Sequence, residues 1–156
     1  MARTKAGAAG ADLRPVADQA SGFAKARVAQ ARATLEDYAE LIADLIAGQG
    51  EARQTDIARR LGVSHATAIK CVARLKREGL ATSKPYRGVF LTEAGQALAE
   101  KARARHRLVV GMLMAVGVPE RQAELDAEGM EHHASETTLR AFAVYLGGSK
   151  QTGGRD

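Results

Sequence analysis

The strongest constraint on the fold is a single glycine, Gly62, set between two short runs with helical periodicity. Before it, Ile57, Ala58 and Leu61 share one face of a helix that Gln54 or Thr55 can cap. After it, Val63 plugs the turn and Ser64 caps a second helix that runs past Leu75. Gly supplies the tight turn without steric cost, and the small Ala58 stands where two helices must approach closely. The spacing predicts a helix-turn-helix.

At 100° per residue, Ala68, Ile69, Val72 and Leu75 of the second helix fall in one arc. Thr67, Lys70, Arg74 and Arg77 fall opposite. Recognition helices enter the major groove N-terminus first, which makes Ser64, His65, Ala66 and Thr67 the candidate base readers. Lys70, Arg74 and Arg77 are placed for phosphates. An ordinary amphipathic helix with a basic solvent face gives the same wheel; the turn chemistry, Ala58 and the local charge weigh for double-stranded DNA. Cys71, at the flank of the buried arc, reads as a small packing residue. Next, Leu80–Ser83 and Gly88–Leu91 flank Lys84-Pro85-Tyr86-Arg87, the pattern of a β-hairpin. A hairpin directly after a recognition helix is a wing, with Lys84 and Arg87 at its tip. Residues 31–95 are therefore expected to form a winged helix-turn-helix.

Charge is distributed in blocks around this unit. Residues 51–91 hold nine basic side chains against three acidic, whereas 36–50 hold four acids and no base, and 118–146 hold six acids against two bases. A basic block between acidic ones suggests a polyanion-binding module beside a cation-binding one. With 46% apolar but only 4% aromatic residues, the chain is expected to be mainly α. Its one cysteine excludes an intramolecular disulfide and a Cys-rich zinc site. No apolar run of about 18 residues predicts a membrane span, and the N-terminus lacks the apolar core of a secretion signal, so a cytoplasmic location is expected.

The flanking segments are helical by pattern. Residues 1–30 read as a flexible basic arm, helical from about Phe23, that either adds phosphate contacts or stays a disordered tail. Leu35–Ala47 forms an amphipathic helix ended by Gly48 and Gly50, with Asp37, Glu40 and Asp44 as an acidic stripe. Thr92 opens a long helix reaching about Val116. Lys101, Arg103, Arg105 and Arg107 in its first half read as exposed, and Leu108–Val116 as packed on a partner helix, with His106 at the junction. Pro119 starts a further helix, on which Glu128, Glu131 and His132 would share one face at i, i+3 and i+4. Oxygen donors beside an imidazole suit a divalent metal. A last helix from Ser135 carries Leu139, Phe142, Ala143 and Leu146 as a stripe suited to a dimer interface. Residues 96–147 are thus expected to be an all-α dimerisation and metal-binding domain, with a flexible tail over 148–156.

Six segments resemble the manganese-transport-regulator branch of the diphtheria-toxin-repressor family. They are Asp37-Tyr38-Ala39-Glu40, Ala52 to Ala58, Leu61-Gly62-Val63-Ser64, Tyr86 to Thr92, Arg105-His106, and Glu128-Gly129-Met130-Glu131-His132-His133. The resemblance implies a homodimeric, metal-activated transcriptional repressor, not an enzyme, that controls manganese uptake. It implies Asp37, Glu40, His106, Glu128, Glu131 and His132 as metal ligands. Iron-responsive relatives carry Met and Cys at the places of Asp37 and Glu128, so the resemblance points to Mn²⁺, with Fe²⁺ as the alternative. His133 is left without a role, and the chain is expected to have the two-domain form. On this reading metal ties the first helix to the dimer core and sets two recognition helices about 34 Å apart, one turn of DNA. The competing readings are a metal-dependent hydrolase, for which no nucleophile elbow, phosphate loop or zinc-hydrolase spacing appears, and a winged-helix regulator of an organic ligand.

Overall fold

The computed structural model describes residues 13–84 and 88–152, with side chains through Gly148. Six helices and one hairpin follow in order: α1 Val16–Gln49, α2 Gln54–Leu61, α3 His65–Arg77, β1 Ala81–Ser83, β2 Val89–Leu91, α4 Glu93–Ala115, α5 Glu120–Met130 and α6 Glu136–Thr152. The protein is therefore mainly α, a winged helix-turn-helix followed by an all-helical lobe, as expected.

Local chemistry explains several of the boundaries. The Ser64 hydroxyl accepts from the Thr67 amide at 3.1 Å, Thr92 from the Gly95 amide at 3.2 Å, and Ser135 from the Thr138 amide at 3.2 Å. Each satisfies a donor that the first helical turn leaves unpaired. Gly62 takes a left-handed φ of 65° and closes α2, so the turn between α2 and α3 forms as its sequence predicts. β1 and β2 pair antiparallel with Thr82 opposite Phe90, and the Val89 amide also donates to the Ala52 carbonyl at 2.8 Å. That contact pins the wing to the segment between α1 and α2.

Two cores are joined by a thin seam. Leu35, Tyr38, Ile42, Leu45, Ile57, Ala58, Val72, Leu75 and Val89 close the winged helix, while Val109, Val110, Ala123, Ala127 and Leu139 close the C-terminal lobe. Between them Ala39 and Ala43 of α1 meet Ala99 of α4. Alanines allow the two helices to approach closely, which brings the longer side chains beside the seam within reach of one another.

Several expectations are corrected. α1 is one continuous helix that begins at Val16, about two turns before the expected helical start near Phe23, and passes through the boundary drawn at residue 30. Ala, Gln, Lys and Arg dominate residues 17–32, and these are strong helix formers that need no apolar stripe. Residues 1–12, the start of the expected arm, lie outside the described residues, as does the wing tip with Arg87. Ile69 is 42% exposed and leaves the buried arc of α3, where Cys71 packs instead. α5 stops at Met130, so Glu131 and His132 lie in the turn after it, and α6 continues past Gly147 to Thr152. Leu139, Phe142 and Leu146 pack within their own lobe and leave Ala143 exposed, so they do not form a free stripe. Exposed apolar surface of the lobe lies instead at Met114, Val116, Leu125 and Val144. Of the basic residues read as exposed on α4, Arg105 is drawn inward, with 13% of its side chain accessible.

Gly95 marks the tightest approach. A Cβ there would lie 1.9 Å from the Leu80 carbonyl oxygen, which itself accepts from the Thr92 amide. Gly95→Ala should force α4 away from the wing and destabilise the protein by about 3 kcal/mol, read as a lower denaturant midpoint. An unchanged midpoint would mean that the junction yields freely.

Candidate metal centre and nucleic-acid interface

Three helices and a turn converge beside the alanine seam. α1 supplies Glu36, Asp37 and Glu40; α4 supplies Arg103, Arg105 and His106; α5 supplies Glu124 and Glu128; and the turn after it supplies Glu131 and His132. His106, Glu128 and Glu131 each offer one ligand atom, all within 4.8 Å of one another. Ligands about 2.0–2.6 Å from a hard cation stand at most about 5 Å apart across it, so the spacing and the oxygen-rich donors fit such an ion. Glu40 joins His106 and Glu128 in lining the same cleft. Burial, then repulsion from Glu131, Asp37 and Glu128, pushes the Glu40 carboxyl up to about 7, against the pull of Arg103. Burial also raises Glu131, against the pull of His106 and His132.

Asp37 and His132 are placed differently. The His132 Nε2 lies 3.0 Å from Asp37 Oδ1 and 3.4 Å from Glu131 Oε1, while its Nδ1 lies 3.2 Å from Glu36 Oε2. Hydrogen bonds first to Asp37 and then to Glu36 push this imidazole up to about 10. The six expected ligands thus share one neighbourhood, with His106, Glu128, Glu131 and Glu40 around one cleft and His132 bridging Asp37 to Glu131. Of the three residues expected on one helix face, Glu128 lies within α5, while Glu131, whose backbone is still in the right-handed helical region, and His132 follow in the turn after it. Gly129, a poor helix former, stands just before the break.

Glu36 is the residue that sequence reasoning missed. Only 2% of its side chain is exposed, and it accepts from Arg32 Nε at 3.1 Å, from the Arg105 guanidinium and from His132. Burial alone would raise its pKa, but His132 and Arg105 together hold the carboxyl below its ordinary value. A signal was present: Glu36 precedes Ala39 by three and Ala43 by seven, so it lies on the arc that faces α4.

The residues expected to face DNA are less crowded. Ser64, His65, Ala66, Thr67, Lys70 and Arg77 are exposed on α3, and Ile69 is exposed among them. Arg74 is engaged elsewhere, donating from Nε to Glu78 at 2.7 Å and from Nη1 to the Ala31 carbonyl of α1 at 3.3 Å. It therefore ties the recognition helix to α1 in this structure. On the wing, the Lys84 ammonium lies 5.9 Å from the centre of the Phe90 ring, and Lys76 donates to Ser83 at 2.7 Å.

Family comparison agrees with both halves. The description "Iron dependent repressor, N-terminal DNA binding domain" matches residues 32–89, and "Iron dependent repressor, metal binding and dimerisation domain" matches residues 92–152. The chain belongs to the iron-dependent repressor family. Within this family it is 49% identical over 130 residues to the transcriptional regulator MntR of Escherichia coli O6:H1 strain CFT073, covering 83% of this chain and 84% of that one. The HTH-type transcriptional regulator MntR of Bacillus subtilis strain 168 is 37% identical over 106 residues, covering 68% of this chain and 75% of that one. A solved structure described as a manganese-dependent transcriptional repressor complex with manganese aligns at TM-score 0.61 and 27% identity, over 72% of this chain and 52% of that chain. The family is one of transcriptional regulators, and the expected kinship with the diphtheria-toxin-repressor group and its manganese branch holds. Among the described residues, no helix is long and apolar enough to cross a membrane.

The raised groups set a pH dependence for the metal-free protein. The fold favours protonated Glu40 and protonated His132, so the folded state holds more protons than the unfolded state between about 4.5 and 7 for Glu40, and between about 6.5 and 10 for His132. Stability must fall with rising pH through both windows. Unfolding midpoints measured from pH 5 to 10 should decline; Glu40→Gln should flatten the lower part and His132→Gln the upper. Glu36→Gln should cost about 3 kcal/mol by denaturant titration, since it leaves Arg105 buried without its counter-charge.

Proposed function

We propose that the chain is a manganese-responsive transcriptional repressor that controls manganese uptake, acting as a homodimer on operator DNA in the cytoplasm, where the chromosome lies. The observation that carries this reading is the cleft formed by Glu40 of α1 with His106, Glu128 and Glu131 of the C-terminal lobe. Its donors are oxygens and one imidazole, without sulfur, a set suited to Mn²⁺. Thiolate and thioether donors, which the iron-responsive reading would use, are absent from it.

Asp37 and Glu40 belong to the helix that carries the winged helix core, whereas His106, Glu128, Glu131 and His132 belong to the dimerisation lobe. Bound Mn²⁺ supplies the positive charge that relieves the mutual repulsion of these carboxylates. Glu40 must lose its proton to serve as a ligand, and His132 must give up its ion pairs to do so. Those exchanges bind α1 to the lobe and fix the two recognition helices of the dimer against one another. Ser64 to Thr67 then read base edges, and Lys70, Arg77, Lys84 and Arg87 contact the backbone. Arg74 reaches phosphate on exchanging its Glu78 and Ala31 partners. Residues 31–95 and 96–147 act as the two functional units.

Metal and DNA must strengthen each other's binding equally. On an operator selected from random duplexes, fluorescence anisotropy should show at least about tenfold tighter binding with Mn²⁺ than with chelator, a coupling of about 1.4 kcal/mol. Glu131→Gln should remove the difference while leaving the circular-dichroism spectrum unchanged. Equal affinities with Mn²⁺ and with chelator would sink the reading.

A further inference from the structure

His106 is held at both ring nitrogens. Its Nδ1 lies 2.8 Å from Glu131 Oε2, and its Nε2 lies 2.8 Å from Glu124 Oε2. These carboxylates are not equivalent. Glu131 is 3% exposed and belongs to the group of converging ligand atoms; Glu124 is about half exposed and, among the described residues, belongs to no such group. One edge of the imidazole therefore faces the proposed ion site and the other faces away, onto a carboxylate one helical turn before Glu128.

We propose that Glu124 is a positioning residue for metal binding: by accepting the Nε2–H of His106 it selects the tautomer whose Nδ1 lone pair faces Glu131. The inference rests on the metal-sensor reading above and adds a residue outside the six expected ligands. Neutral imidazole carries its proton on either nitrogen, and a ring with no partner at Nε2 can present either one. A carboxylate behind a ligating histidine removes that choice, fixes the ring plane and makes the ligating nitrogen more basic. Glu124 can do this at little cost to the fold, because its side chain is only half covered and α5 holds it at i−4 from Glu128. Loss of such a partner typically weakens metal binding about 10- to 100-fold.

The test uses the full chain, metal-free, as the native protein and as Glu124→Gln, Glu124→Ala and Glu128→Ala. Calorimetric titration with Mn²⁺ should show Glu124→Ala weakened at least about tenfold. Glu124→Gln keeps an acceptor for Nε2–H and should lose less, while Glu128→Ala should lose most of its affinity. In ¹⁵N-labelled protein loaded with ¹¹³Cd²⁺ as a diamagnetic probe, the native His106 should couple to cadmium through Nδ1 and keep its proton on Nε2; Glu124→Ala should lose this single tautomer. Native protein that binds neither ion would overturn the metal-sensor reading and this inference together. Native binding with Glu128→Ala impaired but Glu124→Ala unchanged would overturn this inference alone. So would cadmium coupling to Nε2, or a weakened Glu124→Ala that retains the native tautomer.

Discussion

A buried carboxylate governs how the chain's two halves meet. Glu36 sits where α1, α4 and the turn after α5 cross, and its partners come from far along the chain, Arg105 at a separation of 69 residues and His132 at 96. An unpaired charge at such a site would cost several kcal/mol, so the segments that supply its counter-charges cannot separate without strongly destabilising the fold. Arg32, one turn earlier on the same helix, supplies a third donor. The alanine seam makes the meeting possible, because larger side chains at Ala39, Ala43 or Ala99 would hold the helices too far apart for guanidinium and carboxylate to touch.

One turn along the same helix the balance reverses. Glu40 is also partly buried, but the pull of the Arg103 guanidinium is outweighed by burial and the repulsion of three carboxylates. The molecule thus holds one acidic group fully compensated and, about 6 Å further along α1, another that is not. The first sets the geometry, and the second leaves an electrostatic deficit that a cation can fill. Responsiveness to metal follows from keeping these two roles on separate residues of one helix.

Much of this was legible in the chain, for reasons that differ by element. The turn at Gly62, the capping hydroxyls of Ser64, Thr92 and Ser135, and the hairpin are local features whose chemistry acts within a few residues. Of the candidate metal cluster, Glu128, Glu131 and His132 were legible from their spacing and donor types, but Asp37, Glu40 and His106 only through resemblance, since each is unremarkable on its own helix. Glu36 escaped because a carboxylate on a helix face looks solvated until its cations, remote in sequence, are folded against it. Ile69 was misplaced because it stands at the edge of its arc, where 100° per residue does not decide between core and solvent. The start of α1 was placed near Phe23 rather than at Val16 because Ala-rich segments form helices by intrinsic propensity, which leaves no apolar periodicity to read.

The unbroken length of α1 gives the contact at Glu36 mechanical leverage. Thirty-four residues make a rod about 51 Å long. From Glu36 it extends about 30 Å back to Val16 and about 20 Å forward to Gln49. A tilt of about 5° about that point would swing the far N-terminal end by about 2.6 Å and the end next to the winged helix by about 1.7 Å in the opposite sense. Rearrangements among carboxylates on a sub-ångström scale are thereby converted into displacements comparable to the length of a hydrogen bond at both extremities at once.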